Sequence, residues 1–191
     1  MKRRGYILVF LTVLLCAGKL DAQTVAVKSN LLAGMLASPN IGVEVRLSER
    51  FTLETGFHYN PFSAGSDKRW KHWFVQPELR YWMCQPYGGH FFGVSLMYGV
   101  YNVGKIKLPF GMFSGVRSAR YEGYFTGAGL AYGYHFILSP HWSIEASIGA
   151  GFLHTGYKRY RCLHCGEKTG SGNKNYLAPT KAAVSLVYMI K

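Results

Sequence analysis

At 191 residues, with 22 Lys+Arg against 9 Asp+Glu (formal charge +13) and 16% aromatics, the chain has the length of one domain. Charge of this sign raises nucleic acid as a partner, but the first residues carry an export signal. No nucleic acid is therefore expected, and outer-membrane lipids, lipopolysaccharide phosphate or acidic glycans take its place; beyond the signal no apolar stretch is long enough for a membrane-crossing helix.

In chain order, Lys2, Arg3 and Arg4 precede an apolar run from Tyr6 to Ala17 and then small and polar residues. This is the three-part pattern of a secretory signal. Cleavage is expected after Ala22, giving a signal peptide over 1–22 and a single β-barrel domain over 23–191 with a formal charge of about +10. A lipoprotein signal at Cys16 is disfavoured because Leu15, not a small residue, precedes it. An uncleaved N-terminal anchor is the other alternative.

From there the chain reads with period two, the signature of strands. "VAVKSNLL" sets Val25, Val27 and Leu31 against Lys28 and Asn30. "IGVEVRL" sets Ile41, Val43, Val45 and Leu47 against Gly42, Glu44 and Arg46, and "FTLETGFHY" sets Phe51, Leu53, Phe57 and Tyr59 against Thr52, Glu54, Gly56 and His58. "FVQPELRYW" opposes Val75, Leu79 and Tyr81 to Gln76, Glu78 and Arg80; "FFGVSLMYGV" opposes Phe92, Val94, Leu96, Tyr98 and Val100 to Gly93, Ser95 and Gly99. The same alternation recurs in "YFTGAGLAYGYHF", in "WSIEASIGAGF" around Glu145, and in "KAAVSLVYMIK" around Ser185.

Eight strands result, joined by connections that alternate in length. Those at "SER", "CQPYGGH" and "LSPH" are short, whereas residues 60–73, 101–123 and 153–180 read as long loops. The fold class expected is all-β: an eight-stranded antiparallel up-and-down β-barrel of outer-membrane type. The face chemistry gives its orientation. A soluble barrel or sandwich would turn its apolar face inward and show Lys, Thr and Glu to water. Here the non-apolar face is rich in glycine and serine and carries Lys28, Glu44, Arg46, Glu54, Glu78, Arg80 and Glu145. A narrow interior needs small residues and mutually neutralising charges, so those residues are expected inside. Tyr59, Trp70, Trp73, Trp82, Tyr98, Tyr101, Tyr124, Phe136 and Trp142 lie near strand ends, where aromatic girdles meet the two interfaces.

The strings "VKSNLL", "PNIGVEV", "YNPF", "KRWKHWFVQPELRYW", "GHFFG", "YNVG", "RYEGYFTGAGLAYGY" and "PTKAAVSLVYMIK" together resemble an uncharacterised family of exported Bacteroidetes proteins. That family is known only as a domain of unknown function and is grouped with outer-membrane β-barrels. The resemblance covers nearly the whole mature chain. It implies an eight-stranded barrel, a cell-envelope location and a hint of surface assembly, with no known reaction.

The candidate chemistry has three seats. Eight strands leave room only for side chains, so the interior charges are expected to plug the lumen rather than conduct. Two inward histidines, His58 and His135, lie near carboxylates, but no G-x-S-x-G or H-E-x-x-H string accompanies them, and no catalytic residue is assigned. Basic residues in the outer loops, Lys68, Arg69, Lys71, Lys158, Arg159 and Arg161, are expected to meet lipopolysaccharide phosphate or an acidic surface-protein partner. In "RCLHCG", Cys162 and Cys165 read as a local disulfide in an oxidising compartment. Zinc on those cysteines with His154 or His164 is the alternative, with an incomplete ligand set; no metal or cofactor is assigned. The expected function is that of a small, monomeric, non-enzymatic outer-membrane barrel in envelope organisation or surface-structure anchoring. The alternatives are a hydrolase or acyltransferase acting on envelope lipid and a soluble periplasmic barrel binding an apolar ligand.

Overall fold

The structure, a computed structural model, describes residues 24–64, 68–104, 120–161 and 167–190. The expected signal peptide and the cysteine pair Cys162 and Cys165 lie outside those residues. The strands are β1 (Val25–Asn30), β2 (Asn40–Arg46), β3 (Phe51–Asn60), a two-residue β4 (Ser63–Ala64), β5 (Lys68–Trp82), β6 (Gly89–Gly104), β7 (Arg120–Ile137), β8 (Trp142–Tyr160) and β9 (Lys168–Ile190). All pairings are antiparallel. The sheet order β3-β2-β1-β9-β8-β7-β6-β5 is closed by a direct β3–β5 ladder from Phe51↔Tyr81 to Asn60↔His72. Eight long strands therefore form a ring, as the alternation predicts.

The pleat places every second side chain inside. Along β6 the inward residues Phe91, Gly93, Ser95, Met97 and Gly99 are buried, and the outward Phe92, Val94, Leu96, Tyr98 and Val100 are exposed. Glycine on the inner face makes room for its neighbours. A Cβ on Gly93 would stand 2.7 Å from the Glu78 carboxyl carbon, and one on Gly99 would stand 2.5 Å from Phe74 Cβ. Most aliphatic residues of the strands thus point away from the centre of the ring, while its middle is lined by charged and small polar side chains with a few inward apolar ones such as Phe91 and Met97. Outward aromatics sit at two heights, Phe51, Tyr81 and Phe92 on paired positions near one end and Tyr59, Trp73 and Tyr98 near the other. The eight residue steps from Phe51 to Tyr59 span about 26 Å along the strand, or roughly 20 Å of height at the usual barrel tilt.

Three expectations change. The long connection after β8 is largely strand: β8 runs to Tyr160 and β9 starts at Lys168, pairing down to Arg159↔Gly170. Both faces of that hairpin meet water or polar neighbours, so "HTGYKRY" and "KTGSGNKN" need no apolar period and read as loop. The first strand stops at Asn30, whose side-chain oxygen accepts from Leu32 N at 3.0 Å and Ala33 N at 3.4 Å. That cap starts the short helix α1 (Leu31–Met35). Finally, three of the expected girdle aromatics turn inward. Trp82 is fully buried, and Trp70 and Tyr101 are half-buried, because each shares the parity of its strand's inner face. Among the described residues no helix is long and apolar enough to cross a membrane, which says nothing about strands.

Candidate functional site

The interior of the ring is organised around Arg80, which is completely buried. Its Nε donates to Glu78 Oε1 at 2.8 Å, and its Nη1 donates to Glu44 Oε2 and Glu145 Oε2, both at 2.9 Å. Its Nη2 donates to Glu145 Oε1 at 3.0 Å and pairs with Glu54. A planar fork with five donors reaches four carboxylates at once, which an ammonium could not do. The guanidinium also lies 4.3 Å over the Phe91 ring. Lys28 joins Glu44 and Glu145, the latter at 2.5 Å. Lys181 donates to Glu54 at 3.1 Å and to both oxygens of Glu78 at 2.9 Å. Four carboxylates thus face the Arg80 guanidinium and the amines of Lys28 and Lys181. The surplus oxygens are held by Thr52 Oγ1, which donates to Glu44 Oε1, and by His135 Nδ1, 3.4 Å from Glu145 Oε2.

Below this cluster lies an aromatic floor. Trp82 donates through Nε1 to Thr52 Oγ1 at 2.8 Å and packs on Phe91 at 4.9 Å and on Tyr87 at 5.9 Å between ring centroids. Tyr87 comes from the turn between β5 and β6, where a left-handed backbone (φ 63) folds it under the ring. Its hydroxyl donates to Thr24 O at 2.9 Å. Burial pushes the Tyr87 phenol above its ordinary value, so it remains a donor. The lower end of the lumen is therefore filled.

Above the cluster the lumen opens into a cup of about 510 Å³. Lys28, Glu54, Lys181 and Gln76 form its base, His58, Trp70, His72 and Phe74 one wall, and α1 its lip. His58 stacks on Phe74 with centroids 4.1 Å apart. At the rim, Ser38 Oγ lies 2.9 Å from His72 Nε2.

Of the residues expected in the interior network, Lys28, Glu44, Glu54, Glu78, Arg80 and Glu145 meet in one cluster. Arg46 does not. It stands at the lower end of β2, half-exposed, and its Nε donates to Ser48 O at 3.1 Å in the adjoining turn. Lys181, Thr52 and the Ser38–His72 pair are members that pattern reading missed. Lys181 shares the parity of Ser185 and was legible from it; the rim pair joins positions 34 apart in sequence and had no signal. Of the basic outer residues, Lys68, Arg69 and Lys71 lie on β5 rather than in a loop, with Lys71 exposed. Lys158 and Arg159 are exposed on β8, and Arg161 is exposed just beyond it. The hairpins that carry them are tied by Arg120 over the Tyr160 ring at 4.5 Å and Lys174 over Tyr157 at 5.8 Å. His154 Nδ1 faces Asn175 Oδ1 at 2.6 Å. Cys84 is free and exposed in the turn at the opposite end. Among the described residues no group of three or more His, Cys, Asp or Glu could hold a metal ion.

The model of one protein family, described as "Protein of unknown function (DUF3575)", matches residues 7–190. No curated protein and no solved structure matches the chain.

Proposed function

Since the chain belongs to the DUF3575 family, whose description carries no activity, we propose a role from its geometry: a plugged outer-membrane barrel of a Bacteroidetes cell. Its body is a structural spacer, and its outer hairpins organise or anchor surface structures. One observation carries this reading. A closed ring buries Arg80, Glu44, Glu78 and Glu145 while exposing Leu53, Leu79, Val94, Leu96, Leu130 and Ile148 around its waist. Water is the wrong solvent for that arrangement and a bilayer the right one. The soluble-barrel alternative needs an apolar cavity, whereas this interior is an ion cluster.

Fractionation of cells expressing the full chain tests the reading. The protein is expected in the outer-membrane fraction and to run at a shifted position on a gel until boiled. Recovery in the soluble periplasmic fraction would end it. In the same frame the hairpin cations Lys158, Arg159 and Arg161, outward in the cell, meet lipopolysaccharide phosphate. Binding to vesicles containing that glycolipid is expected to weaken steeply between about 50 and 500 mM salt, and no binding at the low end would remove the contact.

The envelope-lipid hydrolase is the second reading, and a specific observation now favours giving it a place: the Ser38–His72 contact at the rim. His58 and His135, the histidines that pattern reading put forward, are not part of it.

A further inference from the structure

Ser38 and His72 meet close to where an interior cavity and an exterior groove adjoin. The cup inside the ring and an apolar groove of about 360 Å³ on its outer wall share Asn40 and Ile41 as lining residues. The groove is walled by Phe57, Tyr59, Pro61 and Phe62 and has almost no polar lining. Ser38 is 7% exposed and lines the cup. Its Oγ–Nε2 separation of 2.9 Å is the reach required between a nucleophile and its base. The imidazole is packed in place, meeting the Trp70 ring edge-on at 5.2 Å and the Phe74 ring at 6.1 Å between centroids.

The backbone that presents Ser38 is fixed as well. α1 ends with Ala37 N donating to Gly34 O at 3.0 Å and Ser38 N to Ala33 O at 2.9 Å, with Ala37 at φ 54. This is the Schellman arrangement that commonly ends a helix, with alanine in place of glycine at the left-handed position. Asn40 Nδ2 donates to Ser38 O at 3.1 Å, tying the serine to the first residue of β2.

We infer that Ser38 and His72 are the nucleophile and general base of an acyl-ester hydrolase whose substrate is a membrane lipid. The acyl chain lies in the outer groove, the ester crosses the rim at Asn40 and Ile41, and the alcohol portion enters the cup. Ser38 Oγ bonds to the ester carbonyl carbon as its proton passes to His72 Nε2. The carbon–oxygen bond to the alcohol then breaks, and His72 returns the proton to the departing alkoxide. Water repeats the sequence on the acyl-serine, giving up a proton to His72, which passes it to Ser38 as the acyl–Oγ bond breaks. The net change is ester plus water to carboxylic acid plus alcohol.

The lipid as substrate rests on the membrane reading; the dyad does not. The full chain, folded in detergent and checked by its heat-dependent gel shift, is treated with a fluorophosphonate probe and separately with p-nitrophenyl palmitate and phosphatidylglycerol. Labelling of the Ser38 peptide is expected, together with release of free fatty acid. Ser38→Ala is expected to lose both, and His72→Gln to slow release by about 100-fold or more. Both variants should keep the gel shift, because the Ser38–His72 hydrogen bond and the His72 ring contacts lie outside the ion cluster. A folded, gel-shifted barrel that takes no label and releases no acid overturns the inference while leaving the membrane reading intact. Labelling that persists in Ser38→Ala overturns it too. Label and p-nitrophenyl ester cleavage by a protein recovered only in the soluble fraction would keep the dyad and overturn the lipid substrate.

Discussion

Arg80→Leu is expected to prevent the ring from forming. The guanidinium is the shared partner of Glu44, Glu54, Glu78 and Glu145, and removing it leaves four buried carboxylates to Lys28 and Lys181 alone. Deleting one partner of a buried pair costs about 3–5 kcal/mol because a charge is stranded, and here several are stranded together. Against a domain stability of about 5–15 kcal/mol, that loss is decisive. Arg80→Lys is expected to rescue only part of it, since a point charge cannot span four carboxylates from one position. The measurement is urea-induced unfolding in detergent, followed by tryptophan emission from the buried Trp82. An unchanged midpoint for Arg80→Leu would show that the cluster contributes nothing to stability.

The second large effect lies on the opposite face of the wall. Leu96, 62% exposed, sits on β6 midway between the lower aromatic Phe92 and Val100 at the upper level. In a bilayer this is the depth at which Leu96→Arg is expected to cost about 2–4 kcal/mol. The same change on a surface bathed by water would stay within about 0.5 kcal/mol. Unfolding titrations of the variant in lipid vesicles separate the two, and a change below 0.5 kcal/mol would count against membrane insertion. The pair of predictions is complementary: one places a charge where the structure has grease, the other takes a charge away from where grease would be expected.

How far the sequence revealed all this depends on which solvent each residue touches. Where one face meets the ion cluster and the other faces outward, as in "FTLETGFHY" and "FFGVSLMYGV", alternation is clean and the strands were legible. The hairpin of β8 and β9 lacked that contrast and was read as loop. A register shift added to the difficulty. Gly149 pairs with Lys181 but Ala150 pairs with Pro179, leaving Thr180 as an extra residue. One extra residue swaps the faces: Ala183 and Ser185 point inward below it, whereas Tyr176 and Ala178 are the shielded positions above it, with Leu177 80% exposed. Reading β9 as one periodic run therefore fails at its middle. Arg46 was placed inside because it continues the parity of Glu44, yet the strand ends there and a long side chain bends to the nearest turn carbonyl. The Ser38–His72 contact depends on α1 turning the chain over the rim, and no spacing rule in the sequence announces it.

The wall has one join made by the two ends of the described chain. β1 and β9 meet through six residue pairs, from Val25↔Ile190 to Asn30↔Ser185. Every other neighbour along the ring, β3 with β5 included, is a hairpin that local contacts can start. This one must bring together segments at opposite extremes of the sequence, a pairing of high contact order that is slow to form. Until it does, the sheet is an open ribbon with two free edges that invite pairing with other chains. Folding is thus all-or-none in time as well as in energy, and it waits on the last six residues of β9.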